Sequence, residues 1–168
     1  MPLCASTRTN DGHLYSGKMS DRASLVEMEK LARAMEAQIP YNRFLGVRLL
    51  DVSASESRLS FGMRDELVGN YTKGTLHGGV ISATFDIVGG MVALMSNADN
   101  TEVDLVKRLA AIGTIDLRVD YLRPGTGNHF EATGSILRGG RKVAVTRMEL
   151  HNDAGSLIAV GTGTYIVA

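Results

Sequence analysis

Val80-Ile81-Ser82-Ala83-Thr84-Phe85-Asp86-Ile87-Val88-Gly89-Gly90-Met91-Val92-Ala93-Leu94-Met95 contains one charge, Asp86. Wound as a helix, this stretch is apolar on every side, which marks a helix buried in a core or a membrane. A buried carboxylate without partners costs several kcal/mol or keeps its proton. Asp86 must therefore be satisfied by specific groups, or its perturbed chemistry is used. Gly74-Thr75-Leu76-His77-Gly78-Gly79 leads into the same helix, expected over about residues 77–97. The segment nears the ~20 residues of a transmembrane span. A central Asp opposes insertion by about 2.5–3.5 kcal/mol, and no second apolar span exists. A core helix covered by a sheet is the better reading, with no membrane partner.

The rest of the chain supplies that sheet. Residues 20–38 place Leu25, Met28, Leu31, Ala32 and Met35 at helical spacing, with a Ser24/Glu27 capping box and a stop before Pro40. Tyr41 to Gly46 adds a short helical turn. From Val47 the period drops to two: Val47 and Leu49 flank Arg48, and Arg58 to Arg64 alternates cleanly. Asp65 to Leu76 reads as a loop, and residues 101–110 as a short helix or flap. Four strand-like runs follow, over 112–122, 128–137, 143–151 and 157–167. They are separated by Arg123-Pro124-Gly125, by Arg138 to Lys142, and by Asn152-Asp153-Ala154-Gly155. Such short links favour antiparallel neighbours. The expected class is α+β, one domain over 20–168 behind a flexible extension over 1–19.

Composition narrows the function. The 168 residues carry 18 Lys plus Arg against 18 Asp plus Glu, so no net field recruits nucleic acid. Cys4 is the one cysteine, which excludes an internal disulfide and points to a reducing, cytoplasmic setting. The first 20 residues hold no apolar signal-like run. His13, His77, His129 and His151 are scattered, and no acid joins them at ligand spacing, so no metal is expected.

Backbone N–H groups at a helix N-terminus bind an oxyanion, and glycine there lets a carbonyl approach. The Gly78 N–H is thus a candidate donor to a substrate carbonyl. Equally, Gly78 and Gly79 could serve only to start the helix beneath a crossing strand. His77 fits a structural bond in that loop better than acid–base work. Gly78 and Asp86 stand about 12 Å apart along one helix axis, too far to serve one carbonyl. If both serve one reaction centre, the second comes from another copy of the chain, in a twofold dimer.

The His77-Gly78-Gly79 motif with Asp86 nine residues after the His resembles the acyl-CoA thioesterases of the hotdog fold, in the PaaI and 4-hydroxybenzoyl-CoA thioesterase-like group. Asn70, the run Gly113 to Pro124 and the Gly139 to Lys142 turn look alike too, so the resemblance covers about residues 42–167. It implies a hotdog fold: a long central helix wrapped by a curved antiparallel sheet of five to six strands. It implies hydrolysis of acyl-CoA to acid and CoA with no cofactor, in homodimers and often homotetramers. Gly78 would donate the oxyanion-hole N–H, and Asp86 of the partner protomer would act as general base or nucleophile. Thr114 falls where relatives orient the water, and His77 belongs to the same motif. Asn70 lies seven residues before His77, where relatives commonly place Asn six before. Gly79, Tyr121, Arg123, Arg138, Gly140, Arg141 and Lys142 are candidates to meet CoA. The alternatives are a non-catalytic acyl-CoA-binding module and a hotdog dehydratase or hydratase.

Overall fold

The structure is a computed structural model that describes residues 19–96 and 105–167. Nearly all of the expected extension, Cys4, residues 101–104 of the expected flap and the helix end at residue 97 lie outside the described residues. So do the side chains of Ser24, Leu25 and Glu27.

Helix α1 spans Met19–Gln38 and buries Met28, Leu31, Ala32 and Met35 on one face. It stops because Ile39 precedes a proline, which forces Ile39 into extended backbone at φ −74°, ψ 116°. Pro40 then opens α2, Pro40–Leu45, where its missing N–H costs nothing, and Gly46 closes it at φ 71°. Strands β1, Arg48–Val52, and β2, Glu56–Gly62, follow as an antiparallel pair.

The segment read as a loop contains more structure than that. A 3-10 turn at Asp65–Leu67 leads into a small hairpin of β3, Val68–Asn70, and β4, Thr75–Leu76. Strands of three and two residues are too short to show an alternation in sequence. Helix α3 covers Gly78–Ser96 and α4 covers Leu105–Ala111. Strands β5, Gly113–Tyr121, β6, His129–Arg138, β7, Val143–Asn152, and β8, Leu157–Ile166, complete the chain.

The main sheet has six antiparallel strands in the order β1-β2-β6-β7-β8-β5. One expected pairing is corrected: the short link after β5 does not make a hairpin with β6. β5 pairs with β8 at one edge, and β6 pairs with β2. The link runs past the β7–β8 turn instead, held there by its own polar groups. The Leu122 and Arg123 N–H groups donate to the Ile158 carbonyl at 2.9 and 3.0 Å, and Asn152 Nδ2 donates to the Thr126 carbonyl at 2.8 Å.

Helix α3 lies on one face of this sheet. Its length and apolarity would suit a membrane span, but its apolar surface is largely covered by the chain's own strands. Val80, Ile81, Phe85 and Val88 pack among Leu59, Phe61, Phe130, Ala132, Met148, Leu150 and Ile158. The Phe61 and Phe130 rings stack at 5.3 Å between centroids. The backbones approach closely at Gly134 of β6, where a Cβ would lie 2.8 Å from the Val88 carbonyl oxygen. Glycine lets helix and sheet meet there.

Burial of α3 is not uniform, and this corrects the all-round burial expected of it. Gly79, Ser82, Ala83, Asp86 and Ile87 are exposed or half-exposed, at spacings of three and four that trace one stripe. Asp86 sits on this stripe, not in the sheet-facing core.

Candidate active site

Asp86 has a defined partner. Thr114 Oγ1 donates to Asp86 Oδ1 at 2.7 Å, while Oδ2 has no partner among the described residues. A β-bulge makes this contact. In β5, Thr114 pairs with Tyr165 and Asp116 with Thr164, leaving Ile115 unmatched. Without the extra residue, Thr114 would share a face with Asp116 and Arg118. The bulge switches the alternation, so Thr114 points with the inward Tyr165 toward α3 and Ile115 is pushed outward, 59% exposed.

Tyr165 lies beneath Asp86. Its hydroxyl reaches the Asp86 carbonyl oxygen at 3.5 Å, and its ring is 1% exposed. Burial pushes the Tyr165 hydroxyl well above the usual tyrosine range, and the Asp86 charge adds to this. The space for that hydroxyl exists because residue 89 is glycine: a Cβ there would lie 2.5 Å from Tyr165 Oη.

The start of α3 is built from His77. Its Nδ1 accepts the Gly79 N–H at 2.9 Å and its carbonyl accepts the Val80 N–H at 2.9 Å. A side chain that takes a first-turn N–H is a cap, a role more often filled by Ser, Thr, Asp or Asn. The Gly78 N–H keeps no partner among the described residues. Tyr121 Oη donates to the Gly78 carbonyl at 3.1 Å and so clamps β5 onto the helix start.

The structure thus brings Asp86 to Thr114, and Gly78, Gly79 and His77 to Tyr121, but holds the two groups about 12 Å apart along one helix. Asn70 closes its own hairpin: its Oδ1 accepts from the Thr72 N–H at 3.1 Å and from Thr72 Oγ1 at 2.7 Å. Arg123 Nη1 donates to the Leu157 carbonyl at 2.9 Å, near Tyr121. Arg138, Gly140, Arg141 and Lys142 lie elsewhere. Their turn sits against Ser96, about 27 Å along α3 from Gly78. Arg138, Arg141 and Lys142 are exposed there.

A cavity of about 300 Å³ opens beside Asp86 and Thr114. Ile39, Ala83, Ile87, Leu109 and Ile112 give it apolar walls. Sequence reasoning missed these walls, Tyr165 and the Tyr121 clamp. A signal for Tyr165 existed: it is the one aromatic in the small-residue run Gly161-Thr162-Gly163-Thr164-Tyr165. The walls come from segments far apart in the chain and left no local pattern. Among the described residues, no group of three or more His, Cys, Asp or Glu could hold a metal ion.

This arrangement can orient a water against a bound carbonyl group and shelter an apolar chain. Known proteins resemble this chain in sequence and fold. The profile of the Thioesterase superfamily matches residues 73–159. The medium/long-chain acyl-CoA thioesterase YigI of Salmonella typhimurium is 47% identical over 133 residues, 77% of this chain and 86% of that protein. Human acyl-coenzyme A thioesterase 13 is 28% identical over 139 residues, 82% of this chain and 91% of that protein. A crystal structure from Shewanella oneidensis, described as related to the thioesterase superfamily, superposes with a TM-score of 0.82 at 40% identity. It covers 88% of this chain and 99% of that one.

Proposed function

The chain belongs to the thioesterase superfamily, and from that premise we propose that it hydrolyses acyl-CoA thioesters, with Asp86 as general base. The observation that carries this reading is the Asp86–Thr114 pair at the mouth of an apolar cavity. Thr114 holds one carboxylate oxygen and leaves Oδ2 for a water. Asp86 takes a proton as the water oxygen attacks the thioester carbon. The tetrahedral oxyanion needs a donor, and the Gly78 N–H at the positive end of α3 has none of its own hydrogen-bond partners to give up. Collapse breaks the carbon–sulfur bond, and the proton held by Asp86 returns to the CoA thiolate.

Gly78 and Asp86 stand about 12 Å apart along one helix, so a reaction centre that uses both takes them from two chains. In a homodimer with antiparallel α3 helices, the Gly78 N–H of one protomer faces Asp86 of the other, giving two equivalent sites. His77 acts here by fixing the Gly79 N–H and the loop, so that Gly78 presents its own. CoA lies at the surface, with Tyr121 offering its exposed ring and Arg123 its charge near the helix start. The Arg138 to Lys142 turn reaches a CoA phosphate only from another protomer. Asn70 flanks the same entry from its hairpin. No cofactor takes part, and pairing of dimers into a homotetramer in the cytoplasm completes the reading.

Thiol release from a panel of acyl-CoAs tests it. Turnover is expected, and tight binding without turnover would instead favour a binding module. Thr114→Val keeps the shape and removes the hydroxyl. A net hydrogen bond to a charged group is worth about 1.5–3 kcal/mol, so kcat should fall about tenfold or more. An unchanged kcat would remove Thr114 from the site.

A further inference from the structure

We propose that Tyr165 is a positioning residue for the hydrolysis: its buried hydroxyl holds the turn of α3 that carries Asp86, while Thr114 holds the carboxylate. The proposal rests on the reading of Asp86 as general base and names a group on which that base depends. Tyr165 does no chemistry of its own and acts through Asp86.

The pairing of two strands sets this up. The bulge at Ile115 brings Thr114 opposite Tyr165 in the β5–β8 register. Directly opposed residues of an antiparallel pair share one face of the sheet, here the face toward α3. Thr114 Oγ1 then reaches Asp86 Oδ1 at 2.7 Å, and Tyr165 Oη reaches the Asp86 carbonyl oxygen at 3.5 Å. One cross-strand pair thus grips both the side chain and the main chain of a single residue. A carboxylate held by Thr114 alone would still move with its helix turn. Held at the carbonyl as well, Asp86 presents Oδ2 in one place. Placement matters at this scale, because a shift of about 1 Å can cost a reacting group on the order of 10²-fold in rate.

The slot for the hydroxyl is built around one point. A Cβ on Gly89 would lie 2.5 Å from Tyr165 Oη, 2.9 Å from Thr146 Oγ1 and 2.9 Å from Met148 Sδ. These three atoms meet where α3 has no side chain. Gly163 on β8 makes room in the same way, since a Cβ there would lie 2.6 Å from the Tyr165 ring. Glycine inside a helix or strand is destabilising relative to alanine, so both positions sacrifice local stability to admit this ring. Tyr165 is 1% exposed and Thr146 is 0% exposed. Hydroxyls so deeply buried bond to the protein around them, and Tyr165 Oη meets Thr146 Oγ1 and the Asp86 carbonyl oxygen. A ring needed only for packing would be phenylalanine, which buries no polar atom. The hydroxyl is retained where it touches the residue that does the chemistry.

Steady-state hydrolysis of acyl-CoA by Tyr165→Phe tests this. The variant keeps the ring and loses only the hydroxyl. Its kcat should fall about three- to tenfold, the factor of one neutral hydrogen bond, with KM within about twofold of wild type. The decisive arm repeats the change in an Asp86→Asn background. Where residue 86 cannot take a proton, its exact placement no longer matters, so Tyr165→Phe should lower the residual kcat by less than about twofold. A merely structural hydroxyl would cost the same factor in both backgrounds. Thermal unfolding checks that each variant is folded. Thr146→Val spares Tyr165 and removes the hydroxyl beside it, and it carries the same test if Tyr165→Phe does not fold. It should lower kcat about twofold or more, again only where Asp86 is present. An unchanged kcat in the folded variant, a loss confined to KM, or an equal factor in both backgrounds overturns the role of Tyr165 and leaves Asp86 as the base. Failure of the wild-type protein to hydrolyse any acyl-CoA overturns the thioesterase reading and this one with it.

Discussion

Asp86→Asn should lower kcat for acyl-CoA hydrolysis by 10²-fold or more, the range lost when a positioned general base is removed. Asn keeps the size of the side chain, and its Oδ1 can still accept the Thr114 hydroxyl now bound at 2.7 Å. What it cannot do is take a proton from water. KM should move little, because an interaction made in the transition state lowers kcat and kcat/KM together. The fold should hold, since Asp86 lies on the open stripe of α3 and not among the strands. Steady-state thiol release by wild type and variant checks this. Turnover within threefold of wild type would remove Asp86 from the chemistry.

The largest stability effect belongs to the residue next to it. Phe85→Ala should destabilise the fold by about 3–5 kcal/mol, the usual result for a buried aromatic cut to a methyl. Phe85 is 0% exposed and points into the sheet, against Gly161 of β8. A Cβ on Gly161 would lie 2.7 Å from the Phe85 ring, so the strand has no side chain that could swing in to fill the space. The cavity would persist, and loss of the ring would loosen the grip of the sheet on α3. Against a typical stability of about 5–15 kcal/mol, this places the variant near unfolding. Urea denaturation measures it, and a loss under about 1 kcal/mol would contradict the packing described.

The neighbouring effects of Asp86 and Phe85 show what the sequence carried. A run of apolar residues with one charge was enough to place α3 in a core. Helical spacing then separated Asp86 from Gly78 by more than one carbonyl can span. The alternation of the last three strands and the turn chemistry between them gave the β6-β7-β8 meander. Each of these signals is local, written within one period or one turn.

What escaped the sequence depends on long-range contact. The move of β5 to the edge beside β8 rests on hydrogen bonds between residues 122–126 and residues 152–158, which no local pattern announces. The bulge at Ile115 changes which face Thr114 occupies, yet Ile115 reads as an ordinary strand residue. The apolar run of α3 read as fully buried because periodicity cannot show a stripe when Gly, Ser and Ala occupy it. His77 was legible as a loop-fixing residue, but its hydrogen bond to Gly79 needed coordinates.

The central claim is that one site draws Gly78 and Asp86 from two chains, and subunit mixing tests it most directly. Gly78→Pro removes the N–H while keeping a residue favoured at the first helical position. A Cβ there meets the Tyr121 ring at an ordinary 3.4 Å. Gly78→Pro and Asp86→Asn proteins should each be nearly inactive. Exchanged at equal amounts, half of the dimers would be mixed, and each would hold one intact site, restoring about one quarter of wild-type activity. Activity of the mixture no higher than the mean of the two parents would place both groups in one chain and contradict the shared site.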